Sequence, residues 1–347
     1  MRTIPCTGHR LVMPEKNNVE LESFDLRPPE AGEILVQTVC SLLSTGTETI
    51  VFSGKFAPGT HWDAWVRHPF YPGYASVGIV TAIGEGVEGL EPGDRVATRT
   101  GHKSHTILKA ESGFRVPEKV SSEAAAWFAL AKIAGHGIRA AGLNLGDTVA
   151  VIGAGPIGQM AVRWALAGAA AIAGDADISP ERLALARAAG ATPVLASAAE
   201  AQAEVLSLLG CRPDVVIDST GNEDVLKSAF RMVEKEGTVV LLGDTGTPEK
   251  QTLTGDVISR GLRLVGAHDG LNSPRWNNKL AADVFFQFLQ TKRFSTEGLV
   301  THRFQPSECA EAYELAVTSR SRTMGILFDW NGVEKTVHEP LEALAHV

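Results

Sequence analysis

Six residues, Gly153-Ala154-Gly155-Pro156-Ile157-Gly158, have the types and spacing of a loop that holds a pyrophosphate. Gly153 permits a tight turn, Gly155 lets the backbone approach a phosphate, and Gly158 lets a helix pack closely on a strand. The loop follows the apolar run 148–152, and Pro156 opens a segment of helical composition; that context gives the glycines their meaning. A helix starting there turns free N–H groups and the positive end of its dipole toward an anion. An acid about 20 residues further on would bind the adenosine ribose. Asp177 stands 19 residues after Gly158. Asp175, two residues earlier, either shares its face or is a solvated loop charge. A carboxylate accepts ribose hydroxyls and repels a 2′-phosphate, so this pattern predicts NAD(H) rather than NADP(H). Arg182 is the nearby cation that argues the other way.

Positioning that loop requires alternating strands and helices. Apolar runs at 147–153, 169–176, 214–218, 238–243 and 262–266 read as strands. Helical segments at 156–168, 180–189 and 224–234 separate several of them. This rhythm with continuous apolar strands predicts a doubly wound parallel sheet. Upstream, 33–39, 75–83 and 93–97 read as short strands between Gly and Pro turns, the pattern of a small β-barrel. Residues 121–141 are Ala-rich and read as one helix, with Ser121 or Ser122 as its N-cap and Gly142 near its end. The strand-like run 325–330 is placed to rejoin the first domain, and 331–347 reads as a polar tail or terminal helix.

Bulk properties narrow the function. At 347 residues the chain is too long for one ordinary core, so two domains are expected. A formal net charge of -8 argues against a nucleic acid or anionic membrane partner. No apolar run reaches the roughly 18 residues that span a bilayer. Residues 1–10 lack the apolar core of a signal peptide, so a cytoplasmic location is expected. Cys6, Cys40, Cys211 and Cys309 form no CxxC pair, and buried free thiols are the expected state.

The chain resembles the medium-chain dehydrogenase/reductase superfamily over nearly its whole length. The matching stretches are Gly84 to Val96, the Gly153 loop, Asp177 to Leu183, Asp218-Ser219-Thr220-Gly221 and Leu241-Leu242-Gly243. The resemblance implies an α/β protein with a GroES-like β-barrel catalytic domain, residues 1–120 and 300–347, around a Rossmann NAD-binding domain, residues 121–299. It adds Thr220 and Gly243 to Gly153, Gly155, Pro156, Ile157, Gly158, Asp177 and Arg182 as cofactor-binding candidates. His268, after a late strand, is placed to reach the nicotinamide or the substrate.

Zinc-dependent members carry a Cys, a His-Glu pair and a third ligand. Here Ser44 or Thr45, Tyr74 with Ala75, and the apolar run 127–130 stand in those regions, so no metal is expected. The run Ser44-Thr45-Gly46-Thr47-Glu48 followed by Pro72-Gly73-Tyr74 resembles the hydroxyethyl-bacteriochlorophyllide dehydrogenase-like group. Without a metal, a side chain must exchange the proton. Tyr74 is the first candidate and Lys132 its possible cationic helper. Ser44, Thr45 and Glu48 are candidate relay or orienting groups, and His102, Lys103 and His105 form a polar cluster that either faces the cleft or lies on a loop. Each has an alternative: Tyr74 as core packing, Lys132 as a snorkelling stem, Glu48 as a brace for its own loop. The aromatic-rich segment 56–71 either covers the substrate, forms a subunit contact or makes a satellite core. The expected activity is NAD-dependent hydride transfer between nicotinamide and a secondary alcohol or ketone, polyol- or sugar-like. A zinc-free quinone or enone reductase and a non-catalytic nucleotide-binding protein are the alternatives. A small-molecule substrate and a homodimer or homotetramer are expected.

Overall fold

Alternating apolar residues in the first third and continuous apolar runs in the second give two different sheets in the computed structural model. It describes residues 7–332 except Ala169, Ala171 and Ala198. The expected tail or helix at the C-terminus falls beyond residue 332, outside the described residues. β1 (Thr7–Val12) and β2 (Glu20–Asp25) form an antiparallel pair. The long β3 (Glu33–Leu43) leads into α1 (Thr47–Ser53) and α2 (His61–Trp65). β4 (Ser76–Ile83), β5 (Arg95–Thr98), β6 (His105–Lys109) and β7 (Phe114–Arg115) follow. β3 is longer than the sequence pattern suggested, because β4, β6 and the end of the chain all pair with it.

The Ala-rich segment forms two helices, α3 (Ser122–Ala126) and α4 (Phe128–Ala141), not one. Ser121 Oγ caps the first, accepting from Ala124 N at 3.1 Å, and Gly142 closes the second with φ 67°. The break falls at Trp127, whose indole packs where a side chain on Gly325 would otherwise sit. Tertiary packing of one large residue overrides the helix pattern there.

The parallel sheet then runs β8 (Thr148–Ile152), α5 (Pro156–Ala167), β9 (Ile172–Asp177), α6 (Pro180–Ala188), β10 (Thr192–Leu195), α7 (Ala201–Leu209), β11 (Val215–Asp218), α8 (Glu223–Met232), β12 (Thr238–Leu241), α9 (Asp256–Ser259) and β13 (Arg263–Gly266). Its order, β10-β9-β8-β11-β12-β13, is doubly wound, with the sequence reversing direction between β8 and β11. Sequence patterning missed β10 and α7, whose short or Ala-interrupted runs carry little periodicity. It also missed α10 (Asn278–Gln290), which packs on α4.

After α10 the chain returns to the first sheet. β14 (Val300–Phe304) lies parallel to β15 (Gly325–Asp329), with α11 (Cys309–Thr318) between them. β15 pairs antiparallel with β3, as the run 325–330 suggested. One core links the two sheets, running from Leu42 and Val77 through Trp127, Leu130 and Ala134 to Val149, Val151 and Met160. α4 is therefore the shared wall between them. Cys40 and Cys309 are buried free thiols, whereas Cys211 is exposed, against the expectation for it.

Candidate active site

The phosphate loop lies at the switch point of the parallel sheet, between β8 and α5. A Cβ on Gly158 would lie 1.7 Å from the Gly153 carbonyl, so that glycine is required by helix–strand packing. Gly153 has φ 100° and is held against Ser219 and Thr220. Gly155 differs: a Cβ there would meet only Arg182 Nη1, at 3.6 Å. The fold itself does not need a glycine at 155, so a ligand approaching the backbone is the remaining reason for one. Pro156 occupies the first turn of α5, and Ile157 anchors it against the core.

Asp177 ends β9 and accepts from Ala154 N at 2.7 Å and Ser179 N at 2.8 Å. A carboxylate has about four lone-pair sites, so capacity remains for ribose hydroxyls. Asp175 is no solvated loop charge. It is fully buried with neither carboxylate oxygen hydrogen-bonded. Burial, then the Asp177 charge, push its pKa well above the usual carboxylate range. Arg182 caps the far side of the loop, bonding the Arg320 and Thr323 carbonyls. Thr220 Oγ1 donates to Asp218 at 2.6 Å, and Gly243 lets β12 approach that turn. These residues surround the Gly153 loop, and their chemistry fits a dinucleotide.

In the first domain, Glu48 is only 2% exposed. Its Oε1 accepts from Ser44 N at 2.8 Å, and its Oε2 meets His102 Nε2 at 3.0 Å and the Tyr313 hydroxyl. Through the Ser44 amide, Glu48 braces its own loop, one of the two readings of this residue. Braced in this way, Ser44 receives the Tyr74 hydroxyl at 2.5 Å, with Thr47 Oγ1 at 3.4 Å. Thr45 contributes its carbonyl, accepting from Thr49 Oγ1 at 2.6 Å. Burial raises the Tyr74 pKa above that of an ordinary phenol, against the lowering effect of Ser44 and Thr47.

The cation beside Tyr74 is Arg99, not Lys132: its guanidinium lies 5.2 Å from the ring centroid. Lys132 neither snorkels nor helps Tyr74 directly. It is 2% exposed, and its ammonium binds the Asp269 carboxylate at 2.6 Å and carbonyl at 2.5 Å. Arg99 Nη2 reaches the other Asp269 oxygen at 2.5 Å. One chain of contacts therefore runs from Ser44 through Tyr74, Arg99 and Asp269 to Lys132, joining the barrel sheet, α4 and the loop after β13. Its neighbour His136, one turn along α4, has its pKa lowered by burial and then by Lys132.

The polar cluster at 102–105 is split. His102 turns inward to Glu48 and Ser41, while Lys103 and His105 line a groove against Phe24 and Arg27. His268 is exposed, with its ring 6.5 Å from that of His61 across the two domains. Within segment 56–71, Trp62 is buried in the cluster that holds Leu11 and Tyr313, and its Nε1 donates to the Thr245 carbonyl at 2.9 Å, whereas Trp65 and Tyr71 are exposed. A cavity of 660 Å³ near Trp127, Lys292 and Arg303 includes none of the Tyr74 cluster. Sequence reading missed Thr47, Arg99, Asp269 and Tyr313. The available signal was slight: Thr47 lay inside the quoted run, and Asp269 beside His268.

Residues 30–115 match the alcohol dehydrogenase GroES-like domain family, and residues 156–283 match the zinc-binding dehydrogenase family. Sorbitol dehydrogenase of Ovis aries is 27% identical over 339 residues, covering 88% of this chain and 92% of the relative. Among solved structures, a short chain alcohol dehydrogenase from E. coli CFT073 complexed with NADH has a TM-score of 0.80 at 21% identity, covering 94% of this chain and 100% of the other. The 2R,3R-butanediol dehydrogenase of Bacillus subtilis gives 0.77 at 19%, covering 93% and 99%. These likenesses carry the fold.

The glycines yield a paired test. Gly155→Val should lower dinucleotide affinity, read by calorimetry, by at least about tenfold while leaving the melting temperature within a few degrees. Gly158→Val, which collides with backbone, should lower the melting temperature sharply. Unchanged affinity in Gly155→Val would remove the loop from the site.

Proposed function

We propose that this chain, which belongs to the alcohol dehydrogenase-like medium-chain dehydrogenase/reductase superfamily and is an oxidoreductase of that type, is an NAD(H)-dependent secondary alcohol dehydrogenase and ketone reductase working without catalytic zinc. NAD(H), when bound, supplies the hydride acceptor or donor. The observation that carries the reading is the pair of contacts from the Tyr74 hydroxyl, to Ser44 at 2.5 Å and to Thr47 at 3.4 Å, which supports the phenol as the proton donor with two hydroxyls beside it. In ketone reduction Tyr74 gives its proton to the substrate oxygen, and the Ser44 and Thr47 hydroxyls can pass another to Tyr74. In alcohol oxidation the same groups carry the proton away.

Zinc does not fit these residues. Alcohols and a phenol offer no ready thiolate or imidazole, and Ala75 offers no donor. Among the described residues, no three His, Cys, Asp or Glu side chains converge as a metal site. Arg99, Lys132 and Asp269 around Tyr74 make a polar setting, which favours an oxygenated substrate over a quinone or enone. The match to a sorbitol dehydrogenase supports a polyol- or sugar-like compound.

Asp177 supports NAD(H): a 2′-phosphate would meet a carboxylate already at the end of β9. Asp177→Ala should weaken NAD(H) more than NADP(H). A wild-type preference for NADP(H) of tenfold or more, about 1.4 kcal/mol, overturns the cofactor assignment.

Tyr74→Phe should cut kcat about 10²-fold or more with cofactor affinity unchanged. Because the Tyr74 pKa is raised, its proton is present across neutral pH. Reductase activity should therefore fall only above the ordinary phenol range, and the variant should lack that limb. Chelation should leave turnover intact. One tightly held zinc per chain, lost together with activity, would return Tyr74 to a packing role.

A homodimer or homotetramer is the expected assembly. β13 ends the parallel sheet with an open edge, and Leu253, Ile258, Leu264 and Leu271 are exposed around it. Sedimentation at micromolar concentration should give more than one protomer, and Ile258→Lys should shift the protein toward monomer. A monomeric wild type removes this reading.

A further inference from the structure

Lys132 and Arg99 bring two positive charges to one carboxylate, that of Asp269, at the edge of the Tyr74 site. The other nearby acid, Glu48, is committed to Ser44, His102 and Tyr313. Arg99 and Lys132 therefore share a single carboxylate as their ion-pair partner at this site. A donor is left over on one of them: Arg99 Nη1 is shut off from solvent and donates no hydrogen bond. A guanidinium offers five donors in a planar fork suited to carboxylate or phosphate.

We propose that Arg99 and Lys132 form a recognition site for an anionic substituent of the substrate, a carboxylate or phosphate, with the Asp269 side chain holding that site when substrate is absent. The inference rests on the dehydrogenase reading above and narrows its substrate to a hydroxy acid or a polyol phosphate. The guanidinium that would bind it lies 5.2 Å from the Tyr74 ring centroid. The substrate's charged end then sits beside the phenol that serves its carbinol. Lys132 also grips the Asp269 backbone carbonyl at 2.5 Å. The carboxylate can therefore leave while the loop after β13 keeps an anchor to α4. A bound anion takes the place of one carboxylate on two cations that are already positioned, so little reorganisation opposes it.

The test compares matched substrates with cofactor-saturated enzyme: a hydroxy acid against its methylamide, and a polyol against its phosphate monoester. The anionic member should have a kcat/KM about tenfold or more above the neutral one, and added salt should reduce the advantage. Arg99→Gln should lower the anion-to-neutral ratio, and Arg99→Lys should restore part of it. Asp269→Asn should raise the ratio, because it removes the competing carboxylate. The carboxylate and phosphate arms identify which anion is read. Equal ratios in all variants, or a common loss for both substrates, would make the three charges a purely structural tie and overturn the proposal. Calorimetry on the NAD-loaded protein with inorganic phosphate and with oxalate separates this inference from the dehydrogenase reading. Affinity that rises in Asp269→Asn and falls in Arg99→Gln supports the site even if no alcohol is oxidised, and absence of binding overturns it.

Discussion

The carboxylate of Glu48 is buried inside the first domain, and a buried acid must have its oxygens satisfied. That requirement organises the surroundings of Tyr74. One oxygen holds the Ser44 amide, which fixes the turn between β3 and α1 and presents the Ser44 hydroxyl to Tyr74. The other oxygen gathers His102 from the β5–β6 loop and Tyr313 from α11. His102 in turn bonds Ser41, which also receives the Trp330 indole. Segments from both ends of the chain are thus drawn around one charge.

A second charge system joins the domains. Asp269 leaves the parallel sheet and meets Arg99 from the barrel and Lys132 from the shared helix α4. A buried cation such as Lys132 persists only with a partner, because an unpaired charge in low dielectric is costly. The pairing sets the loop after β13 near Tyr74, so one end of the parallel sheet and the Tyr74 cluster share one boundary. Further out, Trp62 and Ala57 bond the carbonyls of Thr245 and Gly246 and hold the loop after β12 to the same wall.

The two halves are built on different principles. The cradle depends on small residues and backbone amides, so its parts lie close in sequence and its shape follows from steric allowance. The proton site depends on long-range contacts among polar side chains buried together. Polar groups that lose water must find each other, and such networks specify a unique arrangement when all members are satisfied.

This division explains what was legible in the residues alone. The Gly153 loop, its strand and helix, and Asp177 announce themselves because strand–turn–helix geometry is local and glycine spacing is rigid. The barrel-plus-parallel-sheet class follows from periodicities of the same local kind. Sequence also showed alcohols and a phenol where a metal-binding relative has ligands, and so pointed to Tyr74 and Ser44. It did not reveal that Arg99, rather than Lys132, lies against Tyr74, that Glu48 braces its loop, that Asp175 is buried without a hydrogen-bond partner, or that the 121–141 helix breaks at Trp127. Each of those depends on partners far along the chain, such as residue 313 for Glu48 and Gly325 for Trp127. The sequence by itself determined the Gly153 strand–turn–helix unit and the fold class, because both are written in local backbone preferences. Only the tertiary structure decided which charges pair around the phenol, because burial forces each ionised side chain to take whichever opposite charge the packed elements bring within reach.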